Sequence, residues 1–354
     1  MMDSLIYRVR RLRAETMLQH PCTRQYAFVG MGGHSMANLY PVLNLLHVPL
    51  KYICIHSTHK AKLISANPAF KQVIVTTSLD TVLSDPAVSA VFVSATPSVH
   101  YCISTSVLQH GKALFVEKPP CQTLSQLESL IALQERAGSY VQVGLQKRYA
   151  PAISRLLSCL KSSTVCDYSM RYCVGRYPEG DALTELFIHP IDLVLHLFGS
   201  ADVIAIRQAS CHTWVMMLSH GNVVGTVSLS TGYSWATPVE DLVVHTLSGV
   251  YTLSGIDTLT FQPMGGSFMG IPMEKIRHRD VYVKYLCRHD NFSPTLQAST
   301  WVEHGFYHEL KDFVDHVEKR PAYHIDHRPA LQSLLPTYQL TNTCLHKLKK
   351  RRQV

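Results

Sequence analysis

From residue 25 onward the apolar positions fall into two alternating textures. Short apolar runs of strand length are separated by stretches whose apolar residues recur at helical spacing. Gln25–Gly30, Lys51–His56, Val73–Thr76, Ala90–Ala95, Ala113–Glu117 and Val141–Gly144 read as six strands. Ser35–His47, Ser78–Leu83, His100–His110 and Ser125–Ala137 read as intervening helices. Pro41 must sit in the first turns of the first helix or kink it. Gly111 and Gly138 stop the last two, and Ser125 with Glu128 three residues later has capping-box spacing. Strands alternating with helices predict a doubly wound parallel sheet.

After residue 150 the alternation stops. Ala152–Leu160 and the almost wholly apolar Ala182–Phe198 read as helices, the latter ended by Gly199. Strands then follow one another directly: Val165–Val174, Asp202–Ala209, Thr213–Leu218, Val223–Ser230, Asp241–Leu247 and Val250–Leu253. His220-Gly221-Asn222 and Ser248-Gly249 supply hairpin turns. Met264–Pro272 is a Gly-rich loop, and His304–Lys319 and Ala330–Leu348 are closing helices. The predicted fold class is α/β: an N-terminal Rossmann doubly wound parallel sheet plus a C-terminal α+β domain with an open, largely antiparallel sheet. The expected division is a basic extension (1–24), a dinucleotide-binding domain (25–147), a substrate and oligomerisation domain (148–340) and a basic tail (341–354).

Composition narrows the class. With 46% hydrophobic and 16% charged residues, the 354-residue chain has ample core-forming material and is not a disordered one. No apolar run reaches the roughly 18 residues of a membrane span. The net charge of +8 sits at the ends: residues 1–24 carry +3 and residues 345–354 carry +5, leaving the body neutral. Nucleic-acid binders more often carry their basic stripe on the folded body, so the ends read as frayed solubilising tails and no nucleic-acid or membrane partner is expected. Ten cysteines without a CxxC, and no secretory signal, fit reduced thiols in the cytoplasm.

The candidate chemistry begins at Gly30-Met31-Gly32-Gly33-His34-Ser35, where the first strand turns into the first helix. Gly30 permits the turn, Gly32 lets backbone approach a pyrophosphate, and the helix N-terminus supplies N–H groups; Ser35 stands where the third glycine of a dinucleotide fingerprint would be. The second strand lacks the acid that usually holds the ribose hydroxyls of NAD. It ends in Ser57, Thr58 and Lys60, which suit a 2′-phosphate, so NADP(H) is favoured over NAD(H).

Glu117-Lys118-Pro119, Ala95-Thr96-Pro97-Ser98-Val99-His100, the glycine loop, the stretch from Gln142 to Pro151, the Gly180–Gly199 helix and Phe306–Phe313 together resemble the Gfo/Idh/MocA family of glucose–fructose oxidoreductase and inositol dehydrogenase. The resemblance covers roughly residues 25–330. It implies a nicotinamide cofactor touched by Ala95, Thr96, Pro97, His100, Glu117 and Lys118. It also implies a sugar, cyclitol or nucleotide-sugar substrate and a homodimer or homotetramer formed through the C-terminal sheet. Glu185 stands where the family's helix signature begins with Asp, and Met264–Pro272 has no match.

Glu185, His189, Asp192 and His196 are spaced to share one face of an apolar, hence buried, helix, so they must serve each other or a ligand. The reading is that His189 exchanges a proton with the substrate hydroxyl, Glu185 orients its ring, and Lys118 stabilises charge on the same oxygen. Arg148 is read as binding a substrate group or pairing with an acid. Tyr177, with Gly175 and Arg176, and Asp192 are candidate substrate contacts. No catalytic zinc spacing is present. An NADP(H)-preferring dehydrogenase acting on CH–OH groups is the first reading; a cofactor-binding sensor or regulator without turnover is the alternative.

Overall fold

The computed structural model describes residues 5–8, 21–276, 282–289, 296–321 and 329–352; most of the predicted basic extension, residues 1–4 and 9–20, lies outside them. Six parallel strands form the first sheet: β1 (Gln25–Val29), β2 (Leu50–Cys54), β3 (Ile74–Thr76), β4 (Val88–Val93), β5 (Ala113–Glu117) and β6 (Val141–Gly144). Their spatial order is 3-2-1-4-5-6, which reverses direction between β1 and β4 and opens a crevice at the strands' carboxyl ends.

The first helix runs through Ser35–Leu39 and Tyr40–Leu45, opening with a π-type turn. Pro41 has no N–H to give, and the carbonyl of Ala37 one turn earlier accepts from Trp301 Nε1 at 3.1 Å. The helix Leu124–Ala137 is capped by Thr123 rather than Ser125: Thr123 Oγ1 accepts from the Gln126 N–H, and Gln126 Oε1 accepts in return from the Gln122 N–H. Gly138 closes it in the left-handed region, with φ +60.

The second sheet has eight strands: β7 (Val165–Cys173), β8 (Asp202–Ser210), β9 (Thr213–His220), β10 (Val223–Ser230), β11 (Val239–Thr246), β12 (Gly249–Ser254), β13 (Thr258–Pro263) and, after the small β14 (Ser267–Phe268) and β15 (Ile271–Pro272) hairpin, β16 (Lys284–Cys287). Among the described residues of this sheet only β7 and β10 pair in parallel; the other pairs are antiparallel. Met216 and Leu218 point inward to a core shared with Ile191 and Val194 of the helix Ile188–Phe198, while Val215 and Met217 point out to solvent.

Two predicted boundaries shift. The helix Phe306–Val317 packs on the first sheet, where Phe313 meets Phe92 edge-on at 5.1 Å and Phe115 at 5.7 Å. Leu331, Leu334 and Tyr338 cover that sheet's other face. The chain after residue 300 thus returns to complete the first core. Nor is the basic C-terminus a frayed tail as far as Arg352. It continues the helix Leu335–Arg352, buries Leu340 and Cys344 in the second core, and donates from Lys347 Nζ to the Val203 carbonyl at 2.6 Å.

Candidate active site

The loops that leave the carboxyl ends of β1, β2, β4 and β5 converge on the crevice. Gly30, at φ +87, lies so close to β4 that a Cβ would fall 2.3 Å from the Ser94 carbonyl oxygen. Gly32 and Gly33 are different. They are exposed, and nothing lies within 4 Å of a Cβ built on either. This open cradle beside a helix N-terminus fits the pyrophosphate of a dinucleotide. Ser35 is turned inward: its Oγ accepts from the Gly32 N–H at 2.9 Å and donates to the Gly32 carbonyl at 3.1 Å, so its side chain shapes the loop. Met31 packs partly into the first core. At the end of β2, Ser57 caps the helix Thr58–Ser65 by accepting from the Lys60 N–H at 3.3 Å, with Thr58 and Lys60 exposed beside it.

His100 also braces the loops. Its ring is buried, with Nδ1 2.8 Å from the Pro119 carbonyl and Nε2 2.9 Å from the Ala95 carbonyl, tying the Ala95-Thr96-Pro97 turn to the Lys118–Pro119 turn. Glu117 lies against Gly144, where a Cβ would meet its carboxyl carbon at 2.8 Å; the small residue at the end of β6 makes its room. His34 Nε2 stands 3.4 Å from Glu117 Oε1. Burial alone would lower the His34 imidazole, but the Glu117 carboxylate raises it above the ordinary histidine value.

A cavity of about 500 Å³ opens here, bordered by His34, Glu117, Lys118, Lys147, His189 and His304 among others. The structure therefore brings Lys118 and His189 together across two separate elements. Lys118 Nζ donates to the Glu185 backbone carbonyl at 3.3 Å. Burial lowers its pKa, with the Glu117 carboxylate pulling the other way. His189 is buried, and its Nδ1 has no hydrogen-bond partner among the described residues. Burial pushes its imidazole well below the ordinary value, and the charges of Lys118, Lys147 and His34 push it further. Burial and these charges together favour the ring's neutral form.

Three expected roles are corrected. Glu185 does not orient His189: the predicted single helix breaks into a π turn, Ala182–Leu186, and the α-helix Ile188–Phe198, so the four-residue spacing no longer aligns the two side chains. Glu185 instead accepts from the Tyr177 hydroxyl at 3.1 Å, so Tyr177 serves this loop contact. Arg148 takes the acid-pairing alternative, and Asp192, expected as a substrate contact, is its partner. They form a buried bidentate pair, Nε to Oδ2 at 2.8 Å and Nη2 to Oδ1, with Arg148 Nη1 also donating to Ser333 at 3.2 Å.

The cavity also holds groups that the sequence did not single out. Lys147 donates to both oxygens of Glu240 and lies 4.8 Å from the Tyr172 ring centroid. Burial opposes its charge, but the Glu240 carboxylate overcomes this and raises its pKa. Glu309 is fully buried beneath the site. Burial, reinforced by the Glu117 charge, pushes its carboxyl well above the usual range. It shares a face with Phe306, Leu310 and Phe313 at helical spacing, and an acid on an apolar face was the signal available in the sequence.

Residues 24–145, the segment that builds this crevice, match the profile of the oxidoreductase family with an NAD-binding Rossmann fold, Gfo/Idh/MocA. That segment, about a third of the chain, is similar to the family's NAD-binding domain. The uncharacterized oxidoreductase YhhX of Escherichia coli is 26% identical over 208 residues, 54% of this chain and 60% of that protein. An inositol 2-dehydrogenase of Ralstonia nicotianae is 31% identical over 142 residues, 36% of this chain and 42% of that one. The chain thus spans about half the length of the curated relatives it matches. A dehydrogenase from Chromobacterium violaceum shares the fold over 93% of this chain and 97% of that one, with a TM-score of 0.75 at 17% identity. Among the described residues no helix is long and apolar enough to cross a membrane.

Proposed function

We propose that this protein is an oxidoreductase that moves a hydride between NADP(H) and a secondary alcohol or ketone of a sugar- or cyclitol-like substrate. The observation that carries the reading is the meeting of Lys118 and the neutral His189 at one cavity beside the glycine cradle. The nicotinamide, when bound, supplies the hydride chemistry. Gly32 and Gly33 would hold its pyrophosphate, and Ser57, Thr58 and Lys60 its 2′-phosphate. His189 accepts the proton of the substrate hydroxyl, and Lys118 stabilises negative charge on that oxygen. Lys147 and Glu240 offer a donor and an acceptor to further hydroxyls. The inositol 2-dehydrogenase among the relatives supports a cyclitol-like substrate.

A homodimer or homotetramer is part of the proposal. Ile204, Val215, Met217 and Val224 are exposed on the outer side of β8, β9 and β10, an apolar face suited to a second copy of the sheet.

Fluorescence titration with NADPH and NADH tests the reading, on the wild type and on Lys118→Ala. Micromolar binding with NADPH preferred is expected, followed by turnover in a polyol and ketose screen. Tight cofactor binding with no turnover of any polyol or ketose would favour a regulatory, non-catalytic role.

A further inference from the structure

The strands β13 and β16 pair antiparallel with Leu259 opposite Cys287. Asp257 immediately precedes β13, and His289 follows the end of β16 by two residues. Glu303, at the end of the short helix Thr300–Glu303, comes in from a third segment, and His289 Nδ1 lies 2.5 Å from Glu303 Oε2. Ligand atoms of Asp257, His289 and Glu303 all lie within 4.8 Å of one another, at half-buried positions. Thr258 Oγ1 donates to Asp257 Oδ1 at 2.9 Å, the kind of outer contact that fixes a ligating carboxylate.

An ion pair needs only two of these groups. Asp257 adds a second carboxylate to the His289–Glu303 contact, so one ring nitrogen and two carboxylate oxygens converge on one place. One imidazole nitrogen and two carboxylate oxygens suit a borderline transition ion rather than magnesium or calcium, and three protein ligands leave a position for water.

We propose that Asp257, His289 and Glu303 bind a divalent transition-metal ion, with Zn²⁺ its chemical type. The consequence reaches the active-site wall. Gly305, at φ +92, sits so tightly on the chain that a Cβ would lie 2.0 Å from the Gln146 carbonyl oxygen. Gln146, His304 and Phe306 all border the cavity. An ion holding Glu303 to the β12–β13 turn and to the end of β16 fixes the segment from which His304 and Phe306 project.

The test is calorimetric titration of tag-free, EDTA-treated protein with Zn²⁺ under reducing conditions, read together with the melting temperature. Wild type is expected to show one saturable site and a raised melting temperature. His289→Ala and Asp257→Asn are expected to weaken that site by roughly 100-fold and to lose the thermal shift. Two variants keep the test open if one fails to fold. No saturable site in the wild type, or a site undiminished in both variants because thiols or other histidines take the ion, overturns the proposal. Neither readout depends on cofactor binding or turnover.

Discussion

The Tyr177 hydroxyl donates to Glu185 Oε2 at 3.1 Å, and Gly180 leaves that carboxylate its place: a Cβ there would lie 2.2 Å from Oε2. The acid is committed to the loop before the Ile188–Phe198 helix, while His189 Nδ1 has no partner among the described residues. Glu185→Gln keeps an acceptor for Tyr177 and is expected to change kcat by less than about tenfold. His189→Asn and Lys118→Ala remove the groups proposed to act at the reacting oxygen and are expected to lower kcat by roughly 10²–10⁴. Steady-state kinetics on one substrate compares all three. A loss in Glu185→Gln as large as that in His189→Asn would return Glu185 to the proton-transfer pair.

Because the folded protein holds His189 below its unfolded value, it binds fewer protons there than the unfolded chain does. Its neutral form persists below the ordinary histidine value of about 6.5. The acid limb of kcat/KM for alcohol oxidation is therefore expected below about pH 6.5. By the same sign, burial of this ring contributes falling stability as the pH drops below that value. His34, raised by Glu117, titrates in the same cavity, and His34→Gln separates the two. An acid limb above pH 6.5 that survives in His34→Gln would show that His189 is not the base.

The Arg148–Asp192 pair is a stability element. Asp192→Ala strands a buried guanidinium and is expected to cost about 3–5 kcal/mol. Chemical denaturation measures this, while nicotinamide affinity stays unchanged. If the variant kept its stability and lost only substrate affinity, the pair would be a substrate contact after all.

Two glycines of one loop should behave in opposite ways. Gly30→Ala forces a Cβ onto the Ser94 carbonyl at positive φ and is expected to cost about 2 kcal/mol or more in thermal or chemical unfolding. Gly33→Ala meets no protein atom. It is expected to leave the melting temperature in place and to weaken nicotinamide binding by about tenfold, or ~1.4 kcal/mol. Unaltered binding in Gly33→Ala would remove the loop from the cofactor site.

The six parallel strands were legible because their signal is local. All but the half-exposed β3 are buried apolar runs punctuated by Gly or a capping residue, and β5 and β6 fall on the predicted limits. The glycine loop, Lys118 and His189 were legible for the same reason, since type and place along the chain identify them. β13 and β16 escaped because they are short and half-exposed, with little apolar contrast.

By itself, then, the sequence determined the order of elements, the parallel sheet, the glycine loop at the turn from β1 into the first helix and the two residues that now share a cavity. Only the tertiary structure decided which charges face which. A buried charge takes the partner that packing brings within hydrogen-bond reach, and that partner can be any distance away along the chain. Arg148 thus meets Asp192, and Lys147 meets Glu240. A single broken helical turn was enough to move Glu185 from His189 to Tyr177. The return of Phe306–Val317 to the first sheet was decided in the same way, because an amphipathic face records that it must be buried and not against which sheet.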